Sequence, residues 1–163
     1  MDVATLPVLS DYEIERGKPM PSKIHALLTK RLIVFLVNYY PGRFDVLPEL
    51  TLEMPSERSI PDICICPLEP VDFFHDEVKR KDPPLVTIEI LSPSQVLQTL
   101  IDKTNDYFSF GVKSCWVVIP SLQSIYVFKG PLDHDVYTLG EELYDPNVDV
   151  RIPMDVIFST KPG

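Results

Sequence analysis

The sequence predicts an α/β fold in which a mixed β-sheet is flanked by helices. An apolar, helix-spaced stretch near the N-terminus is followed by several short apolar runs, most of them bounded by proline or glycine. A second helix-spaced stretch divides these runs, so that strands precede and follow it along the chain. The 163 residues are expected to form a single domain, residues 1–163.

Two helices are predicted. The first spans residues 22–40, with Ser22 as its N-cap and Pro41 ending it. The second follows the turn at residues 92–94 and ends at Gly111.

The predicted strands are short apolar or alternating runs. They span residues 44–53, 63–66, 85–91, 115–119, 125–129 and 136–139. Residues 67–84 are a polar connection, with a helical turn as one option at 72–80. The last apolar segment, 152–158, is expected to be a short strand or a helical turn.

The net charge and the lengths of the apolar stretches argue against some classes of function. Fifteen basic and 24 acidic residues give a net charge of −9, which argues against a protein that coats nucleic acid by bulk charge but leaves room for a small cationic patch. No apolar stretch approaches ~20 residues and no signal-peptide pattern opens the chain, so we expect a cytoplasmic protein without a membrane partner.

Glu89 lies inside a run, residues 85–91, that is apolar enough to be buried on both faces. An ionised carboxylate there costs several kcal/mol unless a cation or hydrogen-bond donors neutralise it. The sequence therefore predicts a partner for Glu89, which is a lysine or arginine, a proton or a metal ion.

Asp62 is the second acid of the predicted site. It follows Pro61 at the start of the run 63–66, whereas Glu89 lies near the end of its own run. If the two strands pair in antiparallel, the two acids are neighbours, because adjacent strands lie ~4.8 Å apart. Carboxylate oxygens are ligands that Mg²⁺ and Mn²⁺ prefer, and the main-chain carbonyl of Ile90 would add another ligand.

Lys103 is the third member of the predicted site. Residues Thr99–Asp102 match a capping box, which predicts a helix start near Thr99 with Lys103 in the first turn. A helix start at Ser94 is the alternative, and it would place Lys103 roughly 14 Å along the helix axis. The approach of Lys103 to the acids is therefore expected to depend on the late start.

The predicted site residues belong to a larger set that occurs in a characteristic order along the chain. They are Pro61-Asp62, Glu89-Ile-Leu-Ser-Pro-Ser94, Asp102-Lys103, Tyr107, Gly111-Val112 and Trp116. This ordered set resembles the putative restriction endonuclease family, and Tyr12–Gly17 with His25 is similar to the opening of that family. The resemblance covers about residues 10–158.

The resemblance implies a restriction-endonuclease-like core related to PD-(D/E)XK nucleases, with the lysine moved from the strand to the next helix. Leu91 stands where the parent motif has lysine. The implied activity is metal-dependent hydrolysis of DNA phosphodiester bonds, with Asp62 and Glu89 as ligands of Mg²⁺ or Mn²⁺ and Lys103 as the relocated lysine. A homodimer is expected, because two copies would address both DNA strands.

Several alternatives stay open at this stage. Glu13, His25 and Glu49 are secondary site candidates, and Glu89 and Lys103 would also suit a purely structural buried salt bridge. A catalytically inactive binding or dimerisation module of the same fold is the second functional hypothesis. A metal-dependent hydrolase of small phosphate esters is the third.

Overall fold

Helices cover both faces of a mixed β-sheet in the computed structural model, which describes residues 8–55 and 57–162. The helices are α1 Asp11–Arg16, α2 Lys23–Tyr39, α3 Leu97–Phe110 and α4 Met154–Ile157. The strands are β1 Asp45–Pro48, β2 Leu52–Glu53, β3 Arg58–Ser59, β4 Ile63–Cys66, β5 Val86–Ile90, β6 Ser114–Ile119, β7 Ser124–Gly130, β8 Asp133–Tyr137, β9 Glu142–Asp145 and β10 Val150–Pro153. A short 3₁₀-helix spans Pro120–Leu122.

The main sheet has six strands in the order β1-β4-β5-β6-β7-β8. Strands β5 and β6 are parallel and are joined through α3, whereas the other neighbours in this sheet are antiparallel. Two further pairs, β2-β3 and β9-β10, form two-stranded sheets. The predicted fold class, a mixed sheet flanked by helices, is confirmed.

The register of β4 and β5 decides where the two predicted acids lie. The strands are antiparallel with Ile63 opposite Ile88, so Asp62, just before β4, faces Glu89 near the end of β5. The antiparallel pairing expected from the sequence is confirmed.

Alternation along the strands separates two hydrophobic clusters on the two faces of the sheet. Ile63 and Ile65 belong to the cluster that also contains Leu28 and Leu32 of α2. Cys64 belongs to the cluster that contains residues of α3. Glu89 lies two residues from Thr87, which is opposite Cys64, so its side chain is on the α3 face.

Helix α2 confirms the first helix prediction. The Ser22 hydroxyl accepts a hydrogen bond from the His25 amide at 3.1 Å, which satisfies one of the free amides of the first turn. Leu28, Leu32, Phe35 and Leu36 form its buried stripe against the sheet.

The start of α3 corrects both options taken from the sequence. The helix begins at Leu97, and its N-cap Val96 makes no side-chain capping bond. Residues 92–95 first close a turn, in which the Gln95 amide donates to the Ser92 carbonyl at 3.0 Å. The Thr99 amide then bonds the Val96 carbonyl at 3.1 Å, so Thr99 already lies inside the helix and its predicted capping box is wrong.

Other boundaries also differ from the predictions. The predicted strand 44–53 is divided into β1 and β2, since Glu49 adopts a positive φ of 50° and its amide bonds the Asp62 carbonyl at 3.2 Å. Residues 72–80 contain turns and bends but no helix, so that option is wrong. The strand predicted at 136–139 lies at 133–137, and the segment 152–158 contains the end of β10 followed by α4.

Helix α1 and strand β9 were not expected from the sequence. Within the described ranges, no helix is both long and apolar enough to cross a membrane.

Candidate metal-binding and catalytic site

Asp62 and Glu89, hereafter the acid pair, lie side by side beneath the surface where β4 begins and β5 ends. Their side chains are only 1% and 2% exposed. Each carboxylate is therefore cut off from most of the solvent that would stabilise its charge, and neighbouring groups must do so.

The ammonium of Lys18 bridges the acid pair. Its Nζ lies 2.5 Å from Asp62 Oδ1 and 3.7 Å from Glu89 Oε2, and the lysine side chain is 4% exposed. These two distances together place the two carboxylate oxygens within about 6 Å of each other. Lys18 lies on the connection between α1 and α2, just after Gly17.

Asp62 receives two further contacts. His25 lies in the first turn of α2, and its Nε2 is 3.0 Å from Asp62 Oδ1. The Ile90 amide donates to Asp62 Oδ2 at 2.7 Å. Burial raises the pKa of Asp62, but the hydrogen bond from His25 and the charges of Lys18 and His25 outweigh it. The pKa is held well below its usual range, so Asp62 is ionised at neutral pH.

Glu89 is held at one oxygen and open at the other. The Tyr107 hydroxyl donates to Oε1 at 2.6 Å, and in turn lies 2.8 Å from the Ser59 hydroxyl, which is then the donor of that bond. Burial, followed by the charge of Glu89, raises the pKa of Tyr107 well above its usual value. Oε2 has no hydrogen-bond partner among the described residues.

Lys103 approaches the same carboxylate from α3. Its Nζ lies 3.7 Å from Glu89 Oε1, and its side chain is 19% exposed. Lys103 and Tyr107 are four residues apart and share the helix face that carries buried Leu100 and Thr104. Lys103 therefore reaches the acid pair because its side chain faces the sheet, and not because it lies early in the helix.

The donor set fits a divalent cation that takes oxygen ligands. Carboxylates held more than about 8 Å apart could not share an ion at ligand distances of ~2.0–2.6 Å, and the acid pair is closer than that. The buried Oε2 of Glu89 has no hydrogen-bond partner among the described residues. The described residues contain no group of three or more histidine, cysteine or acidic side chains arranged to hold a metal. Two carboxylates are nevertheless compatible with Mg²⁺, because this ion is usually bound through one or two carboxylates and keeps several waters.

The comparisons with known proteins identify the family and a structure with the same fold. The model of the Uma2 family, described as "Putative restriction endonuclease", matches residues 8–153. The chain belongs to this family. The predicted resemblance is thereby confirmed.

A solved structure has the same fold. It is the crystal structure of a putative nuclease belonging to DUF820 from Anabaena variabilis ATCC 29413, with a TM-score of 0.76 and 20% sequence identity. The match covers 86% of this chain and 83% of that chain. A comparison with curated proteins finds no match.

Of the sequence-predicted residues, Asp62, Glu89, Lys103 and His25 lie together in the structure. Ile90 is also present, but the contact it makes to Asp62 is through its amide, so a ligand role for its carbonyl stays a prediction. The metal-binding and catalytic roles of these residues are likewise predictions.

Two of the secondary site candidates, Glu13 and Glu49, make other contacts in the structure. Glu13 completes a capping box with Ser10 and accepts the Met20 amide at 3.0 Å. These hydrogen bonds, chiefly from the Ser10 amide, lower the pKa of Glu13. Glu49 is exposed, and its amide bonds the main chain of Asp62.

Sequence reasoning missed Lys18 and Tyr107. Tyr107 carries a usable signal, because it lies one helical turn after Lys103 and so shares its face. Lys18 carries none in its local spacing, since it lies in a connection between helices and reaches the acid pair only through the tertiary fold.

Proposed function

We propose that the protein is a divalent-metal-dependent endonuclease that hydrolyses DNA phosphodiester bonds at the acid pair. Membership of a family described as a restriction endonuclease family supports the reaction class. The observation that carries the proposal is the buried pairing of Asp62 and Glu89, whose facing oxygens lie within about 6 Å.

Asp62 and Glu89 would hold Mg²⁺ or Mn²⁺, with the Ile90 carbonyl as a further ligand. The bound ion would polarise a phosphodiester oxygen and lower the pKa of a water molecule.

The chain's own residues prepare this site in three ways. His25 and the Ile90 amide orient Asp62, and the contact with His25 also helps to keep it ionised. Tyr107 fixes Glu89 Oε1, which would leave Oε2 available as a metal ligand. Lys103, the most exposed cation beside the pair, would orient the attacking water or neutralise charge on the phosphate in the transition state.

Cleavage assays test this function directly. Purified protein is incubated with supercoiled plasmid and with single-stranded DNA, each with Mg²⁺, with Mn²⁺ and with EDTA. We expect metal-dependent cutting that Glu89→Gln abolishes. Glu77→Gln, which makes the same change at an exposed loop position, should cut like the unaltered protein.

A catalytically inactive binding or dimerisation module is the second candidate function. Two observations favour it: the net charge of −9, which opposes binding to many phosphates, and the occupation of the space between the acids by Lys18. Metal binding with no cutting of either DNA substrate would favour this module. Cleavage of a small phosphate ester but not of DNA would instead favour a phosphoesterase.

A further inference from the structure

Lys18 already supplies the positive charge that the acid pair requires. Its ammonium contacts an oxygen of each carboxylate, and its side chain is as buried as theirs. Lys103 differs, because it contacts only the Oε1 side of Glu89 and is more exposed. Lys18 therefore stands between the acids, whereas Lys103 stands beside them.

A divalent ion and this ammonium cannot both occupy the position between the acids. An ion bound by both carboxylates must lie within ~2.0–2.6 Å of an oxygen of each. The Lys18 nitrogen lies 2.5 Å from Asp62 Oδ1 and on the Oε2 side of Glu89, which is the same space. Two cations so close together in a buried site would repel strongly.

The segment that carries Lys18 is an irregular bend with open space beside Gly17. Gly17 ends α1 in the left-handed conformation at φ 73°, and a side chain added there would meet nothing within 4 Å. Lys18 itself lies outside helix and strand. Glu13 anchors the two sides of this bend through Ser10 and Met20, so the lysine can move while its main chain stays in place.

From this geometry we propose that Lys18 is a built-in counter-cation of the metal-free site, and that a divalent ion binds by displacing its ammonium from between Asp62 and Glu89. The inference rests on the proposed metal site. It adds that metal affinity is set by competition with a residue of the chain. The freed ammonium would then lie at the mouth of the site.

Lysine labelling tests the displacement in the unaltered protein. Reductive methylation is followed by mass spectrometry with and without saturating Mg²⁺. We expect Lys18 to be protected without metal and to react about tenfold faster with it, in line with the loss of a buried ion pair. Exposed Lys23 is the internal reference, and its reactivity should stay constant.

Calorimetric titration with Mn²⁺ tests the competition. Lys18→Met removes the charge but keeps an unbranched side chain, and we expect Mn²⁺ to bind it about tenfold more tightly than the unaltered protein. Lys23→Met removes a charge five residues away and should leave the affinity unchanged. Circular dichroism establishes that each variant is folded.

The outcomes separate this inference from the proposed function. The inference is supported if Lys18→Met binds Mn²⁺ more tightly than the unaltered protein and Mg²⁺ increases the labelling of Lys18. Binding of Mn²⁺ by Lys18→Met but not by the unaltered protein supports it as well. If Mn²⁺ binds but Lys18 stays protected, the displacement is wrong and the metal site survives. If neither protein binds Mn²⁺, both proposals are wrong.

Discussion

Glu89 is a buried carboxylate whose two oxygens have different surroundings. Oε1 accepts the Tyr107 hydroxyl and lies 3.7 Å from Lys103 Nζ, whereas Oε2 lies 3.7 Å from Lys18 Nζ and has no hydrogen bond among the described residues. Hydrogen bonds fix a carboxylate more tightly than a charge at 3.7 Å, because they are directional. Tyr107 is therefore the group that orients Glu89.

Tyr107→Phe is expected to weaken this orientation. Removing the hydroxyl leaves Oε1 without its donor and the Ser59 hydroxyl without its partner, so the free energy of unfolding should fall by about 1–3 kcal/mol. Urea unfolding measures this loss. Tyr39→Phe, at an exposed position at the end of α2, is the comparison, and an equal loss there would contradict the assignment.

Asp62 is expected to make stability depend on pH. Its pKa is lowered in the folded protein, so the stabilisation is present above the unfolded pKa of about 3.9 and is lost as pH falls from there toward the folded value. Asp62→Asn should be less stable than the unaltered protein at pH 7, by about 3–5 kcal/mol, because it removes the nearer carboxylate partner of the buried Lys18 ammonium.

Unfolding curves for both proteins between pH 7 and pH 3 measure the difference. We expect it to shrink below pH 4. A difference that stays the same over this whole range would show that the Asp62 charge does not contribute.

At the scale of elements, α3 links the sheet to the site. It leaves the end of β5, returns to the start of β6 and carries Lys103 and Tyr107 on the face that covers Glu89. Its C-terminus is fixed by Gly111, whose amide bonds the carbonyls of Tyr107 and Phe108. How α3 ends therefore influences how its site residues are placed.

Gly111→Ala is expected to be costly for two separate reasons. Gly111 has φ 112°, where a Cβ is strained by about 1–2 kcal/mol, and a Cβ there would lie 3.2 Å from Pro83 Cγ. Gly140→Ala is the matched control, because Gly140 also has a positive φ, of 81°, but a Cβ there would meet nothing within 4 Å. Thermal unfolding should show the larger loss for Gly111→Ala, and equal losses would exclude a role for the Pro83 contact.

The elements that the sequence predicted well are those with a local signal. Strand β4 has its predicted bounds, and α2 has its predicted N-cap, because apolar spacing and a capping serine are read within a few residues. The start of α3 was wrong because Thr99–Asp102 has the capping pattern, whereas the turn at 92–95 decides where the helix begins.

The site residues likewise differ in whether a local signal predicts them. Asp62 and Glu89 could be paired from the sequence, because the register of two neighbouring strands follows from where each acid lies in its own strand. Lys18 could not, since it lies 44 residues from Asp62 in the chain and in no regular element.

At the scale of the whole molecule, Asp145 ties the small β9-β10 sheet to the main sheet. Its carboxylate is fully buried and accepts hydrogen bonds from Trp116 Nε1 at 2.8 Å and the Ser114 hydroxyl at 2.9 Å, both on β6, and from the Asn147 amide at 3.0 Å. The three donors stabilise the carboxylate, and no cation pairs with it among the described residues, which distinguishes it from the acid pair. This link is structural. Its donors are on β6, the strand next to β5, and it makes no contact with Glu89 itself among the described residues.

Asp145→Ala is expected to destabilise the whole molecule and not only the small sheet. The buried Trp116 and Ser114 donors and the part-buried Asn147 main-chain amide lose their acceptor, at a cost of about 3 kcal/mol, which lowers Tm by about 6–12 °C in a chain of this size. Trp116 is the only tryptophan, so its fluorescence reports on this link, while circular dichroism reports on the helices and strands. Because the link joins both sheets through the core strand β6, the two signals should shift together to the same lower Tm.

Asp133→Ala, at an exposed position on β8, should change Tm by less than about 3 °C. A fluorescence transition that moves down while the circular dichroism transition stays in place would show that Asp145 holds the small sheet alone.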